Sequence, residues 1–318
     1  MITTITLNPC VDRTVELRNL TLDGHNRADR VITDISGKGI NVSVVLRNLG
    51  LETNALVLRH REGGQQVVDF LEKRGIPCRT VEAPGALRIN LKLTDTARGT
   101  MTEVNERGAP VDADTVADIL QAVEELLDTS DMLVVDGSVP PGTPDTIYET
   151  LLALADKRGV RAVLDASGEL LRCGLRAKPW LVKPNRFELE SYYDRKAPDR
   201  PALLALARGL LEEGARNVCL SMGAEGAALL TREGTWFAPG NPIPVRGSQG
   251  AGDAMVAGIC AAAREGLPPE ALLRWGVAAA QASLVLPGTG LCTREDFREM
   301  LDTVTVEQLK QEEALCLW

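Results

Sequence analysis

Short, almost uniformly apolar runs recur along the chain, and stretches with helical periodicity separate them. The predicted strands cover residues 3–7, 55–58, 132–135, 162–164, 180–182 and 218–220. Helical patterns lie near 40–49, 64–74, 112–127, 144–158, 202–213, 252–265 and 269–285. Apolar strands connected through helices form parallel sheets that helices cover on both faces. The sequence therefore predicts an α/β fold in which helices flank a mostly parallel central sheet.

Two segments break this alternation. Residues 11–35 and 86–104 alternate apolar and polar side chains with a period of two, and neither contains a helical pattern. The second segment predicts a hairpin that turns at residues 97–99. A small mixed sheet outside the main layer would accommodate both segments. Such a sheet could act as a lid over an active site or pair with a second subunit, and we expect a homodimer formed through it.

Composition narrows the class of protein. The chain has 44 acidic and 35 basic residues and a net charge of −9, which disfavours a broad nucleic-acid surface but leaves a local basic pocket open. No apolar run approaches the roughly 18 residues that span a bilayer, and the first ten residues do not resemble a signal peptide. We therefore expect a cytoplasmic protein that binds neither nucleic acid nor membrane.

The cysteines and histidines exclude several kinds of site. Seven scattered cysteines form no C-x-x-C pair, which favours reduced thiols over disulfides or a zinc site. These are Cys10, Cys78, Cys173, Cys219, Cys260, Cys292 and Cys316. With only His25 and His60, and no G-x-S-x-G motif, a Ser-His-Asp hydrolase is disfavoured. Chemistry on carboxylates, lysine, arginine and backbone donors remains, which suits phosphoryl transfer.

The strongest local signal is GSQGAGDAMVAG at residues 247–258, which runs into a helical pattern. Glycines allow backbone N–H groups to approach a ligand closely, and a helix N-terminus favours an anion such as phosphate. Asp253 at this point could accept a proton from an attacking hydroxyl. It could equally serve only to cap the helix. The spacing alone leaves both interpretations open.

Three further motifs place polar groups next to predicted strands or helices. SGKGINV at 36–42 precedes a helix but matches neither a P-loop nor G-x-G-x-x-G. In LVKPNRFELE at 181–190, Asn185 and Glu188 have the spacing of a capping box, yet could also hold a hydrated Mg²⁺ at the edge of the sheet. SMGAEG at 221–226 predicts a hairpin that could touch a nucleotide.

Together these motifs resemble those of the ribokinase/PfkB family of carbohydrate kinases. The resemblance also includes TLNPCVD at 6–12, RINLKLT at 88–94 and DGSVPPG at 136–142, so it extends in order over nearly the whole chain. It implies one ribokinase-like kinase domain over residues 1–318, with three α/β/α layers and a small β-sheet lid. ATP and Mg²⁺ are the implied cofactors. Within the family, the chain most resembles the branch that phosphorylates fructose 1-phosphate or tagatose 6-phosphate.

The resemblance also implies a role for individual residues. Asp253 would be the catalytic base, and the amides of Gly250, Ala251 and Gly252 would stabilise the transferring charge. The sugar phosphate would contact Asp12, Gly37, Lys38, Asn41, Arg88, Asn90 and Ser138, with Arg88 on the phosphate. ATP would contact Lys183, Asn185, Ser221, Gly223 and Gly226 as well as Gly250 and Gly252. Asn185 would contribute to the metal site, and Glu188 would organise Mg²⁺ through water.

Some departures and alternatives remain. Ser36 and Gln249 stand where the family usually has other residues, and His25 and Arg27 could add to the phosphate site. The implied reaction converts fructose 1-phosphate to fructose 1,6-bisphosphate. Tagatose-6-phosphate kinase and 6-phosphofructokinase are the alternatives within the family, and a sugar-phosphate sensor is the alternative without turnover. A Rossmann dehydrogenase is disfavoured because no G-x-G-x-x-G follows the first strand.

Overall fold

The computed structural model describes residues 1–247, 249–286, 288 and 290–310. Its strands are β1 (Ile2–Thr6), β2 (Cys10–Leu17), β3 (Arg30–Ser36), β4 (Thr53–Glu62), β5 (Cys78–Ala86), β6 (Arg88–Asp95), β7 (Thr100–Asn105), β8 (Met132–Asp136), β9 (Arg161–Asp165), β10 (Leu181–Val182), β11 (Asn217–Ser221), β12 (Gly226–Thr231), β13 (Thr235–Pro239) and β14 (Glu307–Gln308). Its helices are α1 (Lys38–Asn48), α2 (Gln65–Glu72), α3 (Ala113–Leu127), α4 (Ile147–Lys157), α5 (Gly168–Leu175), α6 (Arg186–Tyr192), α7 (Arg200–Glu212), α8 (Ala251–Arg264), α9 (Pro269–Leu284) and α10 (Arg294–Leu301).

Ten strands form one large sheet in the order β14-β13-β12-β11-β10-β9-β8-β1-β4-β5. The strands from β5 to β11 in this order are parallel, and β12 to β14 extend the sheet antiparallel. Helices α3, α4, α5 and α7 cover one face, and α1, α8 and α9 cover the other. Within β1, Ile5 belongs to the first of these cores and Ile2 to the second. The predicted three-layer α/β/α arrangement is confirmed.

All six predicted strands are present. Most of them are buried on both faces and read as apolar runs, whereas β1 is equally buried but includes three threonines. The sequence did not indicate β5, which lies at the edge of the sheet and alternates exposed with buried positions. It also did not indicate α5 or α10. Length alone does not explain this, because α2 also has eight residues and lies within the predicted helix at 64–74.

A separate four-stranded sheet has the order β3-β2-β6-β7. Strand β2 pairs parallel with β6, whereas β3 and β7 pair antiparallel, so the predicted mixed sheet is confirmed. The predicted hairpin turns between β6 and β7, where the buried carboxylate of Asp95 accepts N–H bonds from Asn19 at 3.0 Å, Leu20 at 2.9 Å and Ala97 at 3.0 Å. We refer to these four strands as the small sheet.

The two faces of the small sheet differ in polarity. The strand register places Asp12, Asn90 and Lys92 on one face, where all three are buried. The opposite face carries Ile89 and Val104, which are 37% and 54% exposed. The polar face therefore has neighbours within the chain, whereas much of the apolar face has none among the described residues.

Two further features are the character of the helices and the state of the cysteines. No helix among the described residues has the length and apolarity needed to cross a membrane. The six cysteines that the structure describes are all unpaired, and Cys316 lies outside the described residues.

Candidate active site

A cleft of about 740 Å³ lies where the carboxyl ends of the parallel strands approach the small sheet. In α/β folds this edge is where ligands bind. Both sheets and the intervening loops contribute to the lining, which includes Asn8, Gly37, Lys38, Arg88, Asn90, Ser138, Asp165 and Glu188. The fold therefore brings into one concavity motifs that the sequence separates by more than a hundred residues.

The glycine-rich motif forms the start of α8. Gly250 is the N-cap residue, with φ 73 in the left-handed region, and a Cβ atom there would lie 2.7 Å from Leu291 Cδ2. Both the conformation and the close contact favour glycine. Asp253 is not the cap: it is the third residue of the helix, in the first turn, where its Oδ2 accepts a hydrogen bond of 2.8 Å from Asn41 Nδ2. Asn41, which the resemblance assigned to the sugar, therefore also fixes the carboxylate of Asp253.

Two lysines from different motifs meet at Asp165, the last residue of β9. Lys38 Nζ lies 3.0 Å from Asp165 Oδ1, and Lys183 Nζ lies 3.3 Å from Asp165 Oδ2. Burial would raise the pKa of Asp165, but Lys183 and Lys38 outweigh burial and lower it. The sequence did not indicate Asp165. Its contact with Lys38 spans 127 positions, and a single Asp after a strand has no distinctive spacing.

The charge of this cluster also affects Asp253. Burial raises the pKa of the Asp253 carboxyl, Asp165 raises it further, and Lys38 and Asn41 partly oppose them. Burial opposes the charge on Lys38, but Asp165 and Asp253 outweigh it and raise the pKa of that lysine. An aspartate with a raised pKa is a better proton acceptor than one in water.

Asp136, the last residue of β8, is a further buried carboxyl group; it opens the DGSVPPG motif, but the sequence analysis assigned it no role. It is 2% exposed, and neither of its oxygens has a hydrogen-bond partner within the described residues. A Cβ atom on Gly39 would lie 3.0 Å from Asp136 Oδ1, so glycine at that point lets α1 begin directly against the carboxyl group. Burial, followed by the charges of Asp253 and Asp165, raises the pKa of Asp136 well above its usual value.

This raised pKa predicts a pH-dependent effect of Asp136→Asn on stability. Between the unfolded pKa of about 3.9 and the higher folded pKa, the folded protein retains a proton that the unfolded chain has lost. The wild type therefore loses stability as pH rises through this window, and the neutral Asn variant does not. We expect the variant to become more stable relative to wild type from about pH 4 upward, by up to about 1.4 kcal/mol per pH unit. Urea unfolding at a series of pH values measures this difference.

Asp165→Asn provides the matched comparison, because Asp165 pairs with Asp136 across β8 and β9 but has the opposite pKa shift. Its lowered pKa contributes stability above the unfolded value, and that stability is lost as pH falls. The Asp165→Asn variant should therefore be less stable than wild type at neutral pH. If the stability of Asp136→Asn relative to wild type instead fell as pH rises, the raised pKa of Asp136 would be contradicted.

Arg88, at the start of β6, marks the other end of the cleft. Its Nε and Nη2 donate to the Asn8 carbonyl at 3.1 and 2.8 Å, and its Nη1 donates to Asn90 Oδ1 at 3.2 Å and to the Glu106 carbonyl at 3.0 Å. All of these acceptors are uncharged, so among the described residues no carboxylate neutralises the guanidinium. Arg107 lies on the same cleft and likewise has no ion pair there. Sequence reasoning missed Arg107, because an arginine in a loop has no local signal.

Asp12 lies on the polar face of the small sheet next to this end of the cleft. Its Oδ2 accepts a 2.6 Å bond from Lys92 Nζ, and its Oδ1 accepts a 3.1 Å bond from Asn90 Nδ2. Burial would raise the pKa of Asp12, but Lys92 outweighs it and lowers the pKa. Ser138 Oγ accepts a hydrogen bond from Asn8 Nδ2 at 3.1 Å, so these polar groups are held by one another.

The motif after β10 forms the third side of the site. Asn185 and Glu188 make both hydrogen bonds of a capping box at α6, with distances of 2.8 and 2.9 Å. The structural interpretation of this pair is therefore confirmed, and Glu188 lines the cleft as well. No cluster of three or more Asp, Glu, His or Cys side chains that could hold a metal occurs in the described ranges. An ion here would thus be held mainly through water and substrate oxygens, as Mg²⁺ commonly is.

The loop from β11 to β12 lies next to this capping box, because the Ser221 N–H donates to the Pro184 carbonyl at 3.1 Å. Gly223 has φ 60 and open space around it. Gly226 has φ 106, and a Cβ atom there would collide with the Ala238 carbonyl. Packing against β13 therefore accounts for Gly226 by itself.

Comparisons with known proteins agree with this architecture. Residues 5–296 match the pfkB family carbohydrate kinase model. The 1-phosphofructokinase of Bacillus subtilis is 33% identical over 309 residues, which cover 97% of this chain and 100% of that protein. The crystal structure of Escherichia coli phosphofructokinase-2 with potassium has a TM-score of 0.87 at 29% identity, covering 95% of this chain and 98% of that one. A ribokinase from Thermotoga maritima shares the fold, with a TM-score of 0.75 at 19% identity over 95% and 99% of the two chains.

The chain therefore belongs to the pfkB family of carbohydrate kinases. It is a phosphotransferase that acts on a sugar, and the family implies ATP as the phosphoryl donor.

Proposed function

We propose that the protein transfers the terminal phosphoryl group of ATP to D-fructose 1-phosphate and so forms fructose 1,6-bisphosphate. The observation that carries this proposal is a pair of groups: a buried carboxylate at a helix N-terminus, close to the cleft residues Lys38 and Asp165, and an arginine on the cleft that has no carboxylate partner. The first, Asp253, suits a proton acceptor for a hydroxyl. The second, Arg88, suits a phosphate already present on the sugar. Relatives named 1-phosphofructokinase support this choice of sugar.

The sugar phosphate would occupy the side of the cleft next to the small sheet. Arg88 would bind its phosphate, and Arg107 offers a second cation in the same loop region. A guanidinium suits this role because it can donate two parallel bonds to a phosphate. The hydroxyls would contact the remaining polar groups on this side, which are Asp12, Gly37, Lys38, Asn41, Asn90 and Ser138.

ATP would occupy the side formed by the ends of β10 and β11. Lys183 would face its phosphates, and Asn185, Ser221, Gly223 and Gly226 would border the nucleotide. Glu188 and Asn185 would orient the waters of a bound Mg²⁺, which neutralises phosphate charge when present.

The chemical step then requires little movement of protein groups. The sugar hydroxyl attacks the terminal phosphorus in line with the departing ADP oxygen, and its proton passes to Asp253. The backbone N–H groups of Gly250, Ala251 and Gly252 donate to the equatorial oxygens of the transferring group. Asn41 keeps the Asp253 carboxylate oriented throughout.

A substrate panel tests the proposal. A coupled assay with saturating ATP would compare fructose 1-phosphate, tagatose 6-phosphate, fructose 6-phosphate and unphosphorylated fructose. We expect the highest kcat/KM for fructose 1-phosphate. A preference for tagatose 6-phosphate or fructose 6-phosphate would move the chain to another activity of the family, and binding without turnover of any sugar would make it a sensor.

Glu188→Gln separates the metal role from the capping role. Glutamine retains a side-chain acceptor at this position, so α6 should keep its start. If Glu188 organises the metal waters, the Mg²⁺ concentration for half-maximal rate should rise by about 10-fold or more, with little change in the sugar KM. The matched control is Asp296→Asn in the capping box of α10, which lies outside the cleft. A lower melting temperature with unchanged Mg²⁺ dependence would leave Glu188 with a capping role only.

We also propose a homodimer that covers the apolar face of the small sheet. Exposed apolar patches commonly mark interfaces, and Val31, Ile89 and Val104 lie on this face. Val104→Lys should shift the protein to monomer in sedimentation experiments. Val245→Lys is the control, because Val245 is 61% exposed but lies outside the small sheet. Unchanged sedimentation of the Val104 variant would refute this interface.

A cytoplasmic location is the last part of the proposal. Its support is the unpaired state of the six described cysteines, which suits a reducing compartment. Detection of the protein in a secreted or periplasmic fraction would contradict it.

A further inference from the structure

A second cleft lies at the opposite end of the parallel strands, where β9, β10 and β11 begin. It has a volume of about 590 Å³ and opens beside Arg161, the first residue of β9, and Trp180, which directly precedes β10. Asp165 of the active site is the last residue of β9, and at a rise of about 3.3 Å per residue it lies about 13 Å from Arg161 along the strand. We call this second site the basal cleft. The two clefts lie at opposite ends of the same strands and share no lining residue.

Cations dominate the basal cleft, although the protein as a whole has a net charge of −9. Two of them have partners: Arg216 Nη2 lies 2.9 Å from Asp156 Oδ1, and Arg161 Nη2 donates to the Ala263 carbonyl at 3.2 Å. The charged lining residues are Arg161, Lys178, Arg216, Arg232 and Glu233. The balance is therefore four cations to one carboxylate, in a concave site.

The other two cations, Lys178 and Arg232, have exposed side chains. Within the ranges that the structure describes, neither side chain makes an ion pair or a hydrogen bond. Both lie on the lining of the basal cleft. Two unpaired cations on one concave surface attract an anion with at least two charges.

The backbone at Lys178 provides an independent indication. Its φ of 54 lies in the left-handed region, and its N–H donates to the Leu175 carbonyl at 2.9 Å just after α5. Glycine is the usual residue at such a helix end, because it adopts this conformation without a steric penalty. The other non-glycine residues with positive φ are Asn19, Asp23 and Asp194, whose types tolerate it better. A strained lysine at the cleft is thus a sign of function, because strain concentrates at ligand sites.

The remaining lining residues include an apolar wall of Trp180, Leu267, Pro269 and Leu272. The volume falls within the roughly 300–1,000 Å³ of pockets that hold small organic ligands. We propose that the basal cleft binds a nucleoside diphosphate, with Lys178 and Arg232 on the phosphates and the base against the apolar wall. The Trp180 ring, whose centroid lies 5.5 Å from the Arg161 guanidinium carbon, provides the aromatic surface of this wall for a planar base.

Equilibrium dialysis with labelled ADP tests this proposal on the whole protein. The test variant combines Lys178→Gly, which removes the cation and relieves the strained backbone, with Arg232→Ser. The control variant combines Lys73→Ser with Arg195→Ser, which removes the same charge from exposed positions outside both clefts. We expect the test variant to bind one ADP fewer per chain than wild type, and the control variant to bind as many as wild type.

The proposal does not depend on the proposed function, because the result is a difference between variants. If the active site failed to bind ADP, the same single site should still disappear in the test variant. Pyrophosphate should displace this ADP and adenosine should not, since the two cations hold the phosphates. Equal ADP binding by wild type and the test variant, or an equal loss in the control variant, would overturn the proposal.

Discussion

Asp253→Asn is expected to lower kcat by about 10²- to 10⁴-fold, the usual contribution of a general base, while ATP still binds. Asparagine has nearly the same shape as aspartate, and its oxygen can still accept the 2.8 Å hydrogen bond from Asn41 Nδ2. The start of α8 should also persist, because Gly250 and not Asp253 occupies the N-cap position. The variant should therefore keep the fold of the site and lose the proton acceptor together with its charge beside Lys38.

The control is Asp145→Asn, the same change on an exposed residue of the cleft lining. Initial rates with saturating ATP and sugar phosphate, together with the ATP dissociation constant, distinguish catalysis from binding. Near-wild-type turnover of the Asp253 variant would remove it from the role of base. An equal loss in the Asp145 variant would point instead to the general charge of the cleft.

Local sequence patterns were sufficient for most of the fold. A strand buried on both faces, such as Met132–Asp136, leaves an unbroken apolar run, and a strand with two unlike faces, such as Arg88–Asp95, leaves an alternation. Each pattern reports the surroundings of one element. The edge strand β5 was not predicted, because it is neither fully buried nor regularly alternating. Pro84 and Gly85 near its end further weaken the strand pattern.

The candidate site was only partly predictable, for a different reason. Some site residues stand in motifs with glycines or a proline beside the end of a strand or helix, and such motifs can be recognised from the local sequence. These residues are Lys38, Lys183 and Asp253. Asp165 and Asp136 stand at the ends of ordinary strands, and what distinguishes them is their neighbours. Asp165 meets Lys38 across 127 positions, and Asn41 meets Asp253 across 212. No local pattern encodes a contact of this kind.

These contacts also change how individual motifs are interpreted. The Asn185–Glu188 spacing suggested either a capping box or a metal site, and the structure has the capping box with Glu188 on the cleft. A capping role and a metal role for Glu188 are therefore compatible. The hydrogen bond to the Asn185 N–H fixes the direction of the Glu188 side chain, and that side chain also lines the cleft. The same holds for Asn41, which fixes the carboxylate of Asp253 and which we propose also contacts the sugar.

The choice of a phosphorylated sugar rests on Arg88, and its substitution gives the second large expected effect. A charge-assisted hydrogen bond contributes roughly 1.5–3 kcal/mol, so Arg88→Ala should lower kcat/KM for fructose 1-phosphate by roughly 10- to 150-fold. The guanidinium is available for this because its present acceptors, the carbonyls of Asn8 and Glu106 and the Asn90 amide oxygen, are uncharged. Unphosphorylated fructose should lose far less, since it has no phosphate to bind.

Arg88 also holds Asn8 and Glu106, so its loss could loosen the loop after β7 and mimic a binding defect. Two variants separate these effects, each measured on both sugars with saturating ATP. Arg88→Lys keeps the charge but not the paired N–H geometry, and we expect an intermediate loss on fructose 1-phosphate alone. Arg13→Ala removes a cation from the opposite face of the small sheet and should leave both sugars unaffected. A parallel loss on both sugars in Arg88→Ala would mean that the arginine supports the loop and that another cation of the cleft, such as Arg107 or Lys38, binds the phosphate.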